Sequence, residues 1–268
     1  MEFLEYTHRM RDLGIKLFAA LTYVVMIAVN FLANGLPINN RSTGEISDAY
    51  PNLFAPIGFT FSIWGVIYLL LAGYILYSFI NRDQPTEKLL KKTHPFFIAT
   101  SLANISWIFA WHYDYIGLSL LIMLTLLILL IKIADMLRDA PLTPEGKLFI
   151  WAPFSMYFGW ITVATIANVT IFLVSVGWNG FSIADHVWTV VVLLVGATIG
   201  ILRTLKDRNV VYGLVFVWAY LGILAKHLWV GGFDGAYPSI IATTIFALAL
   251  FLFTVGNVFY SKTNKART

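Results

Sequence analysis

The chain has 268 residues, 59% of them hydrophobic and 12% charged, with a mean hydropathy of +0.78. A soluble domain carries about a quarter charged residues, so this composition excludes an ordinary globular enzyme and predicts an all-α, polytopic membrane protein; no short alternating segments suggest a β-barrel. The absence of cysteine excludes disulfides and thiolate chemistry, and the net charge of +4 reads as basic loops beside a membrane rather than nucleic-acid binding.

Apolar runs near 20 residues, enough to cross about 30 Å of hydrocarbon, recur along the chain. Eight spans are predicted, at roughly 14–35, 56–80, 95–113, 115–137, 148–176, 185–203, 210–230 and 237–260. The first has no small-residue cleavage site after it and reads as a retained helix, not a signal peptide. Basic residues concentrate on one side: Arg9, Arg11 and Lys16, then Arg82, Lys88, Lys91 and Lys92, then Arg138 and Lys147, then Arg203, Lys206 and Arg208, and last Lys262, Lys265 and Arg267. The opposite loops hold Arg41 and, near the end of span seven, Lys226. Basic loops face the cytoplasm, so both termini are expected inside, in a bacterial cytoplasmic membrane by default.

The outer loop 35–55, with Pro37, Arg41, Gly44, Glu45 and Asp48, is long enough to fold over the helices. It feeds the second span through Tyr50-Pro51-Asn52-Leu53-Phe54-Ala55-Pro56. Proline fixes its own backbone and moves its predecessor out of the helical region, which predicts a stiff lead-in at Pro51 and Pro56. Further on, Tyr113-Asp114-Tyr115 is a minimal turn that makes spans three and four antiparallel neighbours, and Trp178-Asn179-Gly180 is a turn.

Helical spacing collects four stripes: Tyr23, Ile27, Asn30 and Asn34; Phe61, Trp64 and Tyr68; Asn104, Trp107 and Trp111; Pro153, Tyr157, Trp160, Ala164 and Asn168. Amides in lipid are costly and face protein or a cavity. The stripes therefore read either as packing glue between helices or as walls for a flat, apolar ligand. Of the remaining polar residues, His112 with Asp114 reads as a rim hydrogen bond and Lys132 with Asp135 as a solvated pair. Lys226 and His227 with Asp234 read as an outer polar cluster or as side chains snorkelling to headgroups. No phosphate loop, nucleophile elbow, metal-binding His cluster or paired intramembrane carboxylates are present, so no catalytic residues and no metal site are expected.

Three blocks carry a family resemblance: Tyr50 to Pro56 with Trp64-Gly65-Val66-Ile67-Tyr68, then Asn104-Ile105-Ser106-Trp107, then Tyr157 through Trp160 and Ala164 to Asn168. In this order the chain resembles the TspO/MBR family, the tryptophan-rich sensory proteins related to the translocator protein. Tyr50, Leu53, Ala55 and Gly58 stand where the family has lysine, an aromatic residue, proline and tryptophan. The resemblance implies a TspO-like five-helix bundle over 1–180, with 181–268 as a three-helix extension. It implies a membrane ligand-binding or sensory protein that takes a hydrophobic planar ligand, tetrapyrrole-like or lipid, under the 35–55 loop. Trp64, Tyr68, Asn104, Trp107, Tyr157, Trp160, Ala164 and Asn168 would be the ligand contacts. No cofactor is expected to be required, and a bound porphyrin or haem-type ligand is left open. The expected partners are the lipid bilayer and a small hydrophobic ligand, not nucleic acid, and a homodimer is left open. A transporter of a small hydrophobic metabolite is the alternative, with Lys226 and His227 lining its path.

Overall fold

The computed structural model describes residues 2–36, 38–80 and 83–265, with side chains described for 10–36, 38–80 and 83–261. Pro37, Arg82 and Arg267, and the side chains of Arg9, Lys262 and Lys265, lie outside the described residues. The elements in order are α1 (Glu2–Gly35), a short α2 (Thr43–Asp48), α3 (Ile63–Ser78), α4 (Gln84–His112) and α5 (Ile116–Leu137). A single turn, α6 (Pro144–Gly146), runs through a π turn, Lys147–Trp151, into α7 (Ala152–Ser175). Then come α8 (Asp185–Asp207), α9 (Val210–Leu228) and α10 (Pro238–Lys265). No strand occurs among the described residues.

Local chemistry sets the helix starts. Asp83 is extended and Pro85 falls in the first turn of α4, where its missing N–H costs nothing. Thr143 accepts from the Gly146 N–H ahead of Pro144, and Asn209 accepts from the Tyr212 N–H at the head of α9. At α2, Ser42 and Glu45 form a reciprocal capping box: the Ser42 N–H donates to Glu45 Oε2 at 2.6 Å and the Glu45 N–H to Ser42 Oγ at 3.3 Å.

Seven helices, among the described residues, are long and apolar enough to cross a membrane. They correspond to seven of the eight predicted spans. The remaining one lies in α4, which begins at Gln84 rather than near 95 and falls short of the apolarity of the others. The cause is its buried polar set, Thr93, His94, Thr100, Ser101, Asn104 and His112, on a helix that packs against both α1 and α5. Protein, not lipid, covers those groups.

The chain forms two compact units: residues 1–46 with 64–154, and residues 47–63 with 155–268. In the first, Asn30 Nδ2 donates to Asn104 Oδ1 at 2.7 Å, and the Tyr23 hydroxyl donates to the Tyr68 carbonyl at 2.8 Å. The rings of Tyr74, Phe97 and Phe154 pack edge to face, and the Tyr74 hydroxyl lies 2.9 Å from Thr93 Oγ1. At one end Lys16 pairs with Glu87 at 3.3 Å and Lys91 with Asp12 at 2.5 Å. At the other Arg41 pairs with Asp114, and Trp111 Nε1 donates to the Thr43 carbonyl at 3.2 Å.

In the second unit α10 packs on α8 and α9. Gly196 and Gly200 on α8 permit close approach: a Cβ on Gly200 would stand 2.7 Å from both Phe216 Cδ1 and Phe251 Cε1. This is the small-xxx-small spacing that brings membrane helices together. Residues 47–63 are fastened to α9 at four places. Trp218 Nε1 donates to the Thr60 carbonyl (2.8 Å), the Ile57 N–H to the Gly222 carbonyl (3.1 Å), Lys226 reaches Asp48 (3.6 Å), and His227 Nε2 donates to the Leu53 carbonyl (2.9 Å). Positions 218, 222 and 226 fall on one stripe of the helix.

Candidate ligand cavity

The second unit contains a cavity of about 380 Å³, within the range of small-molecule sites. One wall is the turn Pro51–Phe54. Asn52 organises it: its Oδ1 accepts from the Phe54 and Ala55 N–H groups at 3.1 and 2.9 Å, and its Nδ2 donates to the Tyr50 carbonyl at 3.0 Å. Such a turn, in which an Asn side chain takes over backbone bonding, is stiff and leaves Leu53 and Phe54 to pack. Ile166, Val169, Leu173 and Val174 of α7 form the second wall, and Val191, Val192 and Val195 of α8 the third. Val195 is 51% exposed, so this side opens away from the protein.

Two indoles stand at the end of the cavity. Trp178 and Trp188 have ring centroids 5.0 Å apart at 59°, and Trp188 Nε1 donates to the Gly180 carbonyl at 2.8 Å. Gly180 is needed twice over: its φ is +60°, and a Cβ there would lie 2.8 Å from Trp188 Nε1. Asn179 Oδ1 accepts from the Phe181 N–H and completes the turn.

Most polar lining groups are already engaged. The hydroxyls of Thr165, Thr170 and Thr189 donate to the carbonyls of Ile161, Ile166 and Asp185, one turn back. Asp185 is different. It is exposed at the first turn of α8, lines the cavity, and its carboxylate makes no hydrogen bond or ion pair among the described residues.

Of the eight expected ligand contacts, Trp64, Tyr68, Asn104 and Trp107 belong to the first unit and Tyr157, Trp160, Ala164 and Asn168 to the second. In the first, Trp64 stacks on Tyr68 at 5.3 Å and Trp107 on Trp111 at 5.3 Å. Trp107 Nε1 is buried with no hydrogen-bond partner among the described residues. In the second, Tyr157, Trp160 and Asn168 are buried and Ala164 is half-buried. Phe61, expected on the stripe of Trp64 and Tyr68, instead sits in a 3₁₀ turn, Gly58–Ser62, and meets Trp160 edge to face at 5.9 Å. Three residues per turn take it out of the α-helical register. Of the residues expected at the site or its lead-in, Pro51 lines the cavity described above; Pro56 is buried outside it.

Several minor expectations are corrected. His112 is fully buried, its ring nitrogens 2.8 and 3.3 Å from the Ile108 and Ala33 carbonyls, while Asp114 pairs with Arg41. Asp135 pairs with Arg138, three residues on, rather than with Lys132. Lys226 and His227 hold the 47–63 segment, Lys226 through Asp48 rather than Asp234. Outside the membrane segments, the Glu45 carboxyl is held below the usual range, first by the hydrogen bond from the Ser42 N–H and then by the Ser42 hydroxyl. The span 185–203 is expected as a helix but not as a wall of the cavity; Trp188, ten residues after Trp178 and across an Asn-Gly turn, is the available signal.

With seven helices, among the described residues, long and apolar enough to cross a membrane, this is an integral, multi-pass membrane protein. Comparison with known families makes it specific: residues 16–257 match the family described as TSPO-like protein, and the chain belongs to that family. The match extends from α1 into α10 and so takes in the last three helices. No curated protein and no solved structure matches the chain.

Proposed function

We propose that this protein binds a small hydrophobic ligand with a flat body from within the membrane. The observation that carries the reading is the cavity walled by Pro51–Phe54, α7 and α8, apolar on three sides with two indoles at its end. Flat apolar ligands gain both from area burial and from stacking on such rings. Family membership supports tetrapyrrole-like or lipid chemistry for the ligand, and the buried, unpartnered Trp107 N–H supports the family-derived contacts in the first unit. The charge bias of the loops supports cytoplasmic termini in a bacterial inner membrane.

Tryptophan quenching tests this in nanodiscs, with protoporphyrin IX and pyrene as probes. Val192→Trp, which fills the cavity, is expected to abolish saturable quenching by at least one of them. Unchanged affinity for both in Val192→Trp would remove the cavity from the function. Loss of affinity in Trp64→Phe or Trp160→Phe, with Val192→Trp silent, would place the ligand at the family-derived residues. Liposome flux of the probe that disappears in Lys226→Gln would favour transport.

A further inference from the structure

We infer that the cavity between Pro51–Phe54, α7 and α8 selects an ammonium-bearing amphiphile, with the cation at Asp185 and the apolar body along the valine walls. This rests on the cavity's being a ligand site.

The polar atoms of the cavity lining are mostly engaged within the protein. Asn52 spends both side-chain ends on the turn it organises. The three threonine hydroxyls spend their protons on helix carbonyls, and the Trp188 N–H is spent on Gly180. Apart from the Trp178 indole N–H and the second hydrogen of the Asn52 amide, the donors of the lining side chains are engaged. What the cavity offers are acceptors, and the strongest is the unpartnered Asp185 carboxylate. A ligand that fits must bring donors. A ligand bearing a carboxylate would instead set like charge against Asp185, with no lining lysine or arginine to offset it.

The indoles point the same way. Asp185 and Trp188 are three residues apart on α8 and therefore on one face, and the Trp178 ring is 5.0 Å from that of Trp188. Ring faces attract a cation even at an exposed site such as that of Asp185, where they add to the pull of the carboxylate. The helix N-terminus opposes this with its partial positive charge, about half a unit, which one full negative charge on Asp185 exceeds. An ammonium group, with up to three donors and a full charge, satisfies the carboxylate and the rings together.

The test uses three probes with one body: 4-phenylbutylamine, 4-phenylbutanol and 4-phenylbutyrate. Each is titrated against the full chain in phosphatidylcholine nanodiscs, with empty nanodiscs subtracted and tryptophan emission as the readout. The amine is expected to bind at least about tenfold more tightly than the alcohol, and the acid more weakly than either. Asp185→Asn should erase the amine's advantage and Asp185→Glu should restore it, with melting temperature recorded for each variant. Should Asp185→Asn fail to fold, the amine-to-alcohol ratio on the unaltered chain decides alone.

Equal affinities for all three probes, each lost in Val192→Trp, would overturn the cation preference and leave the ligand site standing. Probe binding indifferent to Val192→Trp would overturn both. Replacing phosphatidylcholine, whose quaternary ammonium has no N–H to donate, with phosphatidylethanolamine, whose ammonium has three, separates two sources of the same donor chemistry. Competition with the amine marks a lipid headgroup as the natural occupant, and unchanged amine affinity marks a free amine; either supports the ammonium assignment.

Discussion

Gly222 shows how much one missing Cβ can decide. Its carbonyl accepts from the Ile57 N–H, and a Cβ would overlap Thr60 Oγ1 outright and stand 2.7 Å from Thr60 Cγ2. Gly222→Ala is therefore expected to cost about 1–3 kcal/mol, the usual range for overpacking, read as a lower melting temperature in detergent. Thr60→Ala in the same chain should return part of that loss, a coupling that a double-mutant cycle detects. The Asn30–Asn104 pair is a gentler case. Asn104→Ala removes the buried interhelical hydrogen bond to Asn30 and should cost about 0.6–2 kcal/mol, the range for polar pairs between membrane helices.

Glu45 gives a pH dependence with a definite sign. Its carboxyl titrates lower in the folded chain because Ser42 hydrogen-bonds the ionised form. The capping box is then fully stabilising above the ordinary glutamate range, and its contribution is lost as pH falls through the lowered value. Hydrogen exchange at residues 43–48 should quicken on acidification over that window. Glu45→Gln should remove the dependence, and Ser42→Ala, which keeps the backbone donor, should only weaken it; an unchanged pH profile in Glu45→Gln would refute the box.

Among elements, α9 is the one whose role the sequence left open. Its residues 218, 222, 226 and 227 fasten the 47–63 segment, and that segment supplies a wall of the cavity. His227→Phe keeps the ring but deletes the bond to the Leu53 carbonyl. The expected result is faster hydrogen exchange over 50–57 and weaker binding of the probes in the cavity, with the helices melting nearly as before. Undisturbed exchange over 50–57 would mean that the remaining three ties suffice. The π turn before α7 and the small-residue face of α8 are further features set by packing, and only Gly196 with Gly200 left a spacing to read.

Across the whole molecule, topology is open to direct measurement because the chain has no cysteine. Tyr115→Cys and Ile183→Cys should react with an impermeant maleimide from outside intact cells, and Ala140→Cys only after lysis. The reverse pattern would invert the orientation that the basic loops imply. Ligand binding should also raise the melting temperature, by about 2.7 kcal/mol of added stability at a hundredfold excess over Kd.

The sequence by itself determined the solvent, the helix count to within a few residues at most ends, and the family, because length and apolarity are properties of each segment alone. It placed the Pro51–Pro56 lead-in and the paired aromatics of Trp64 with Tyr68 and Trp107 with Trp111, since these lie one helical turn apart. It set the start of α4 near 95 rather than at Gln84, and the polar residues of that helix reach their burial only through α1 and α5. Only the tertiary structure decided that the lead-in closes a cavity with α7 and α8 and is tied down by α9. Those partners lie more than a hundred residues away from Pro51, beyond the reach of any helical period. The same holds for Asp185: in the sequence it is an ordinary first-turn acid, and it becomes a candidate cation site because folding uses up nearly every donor around it.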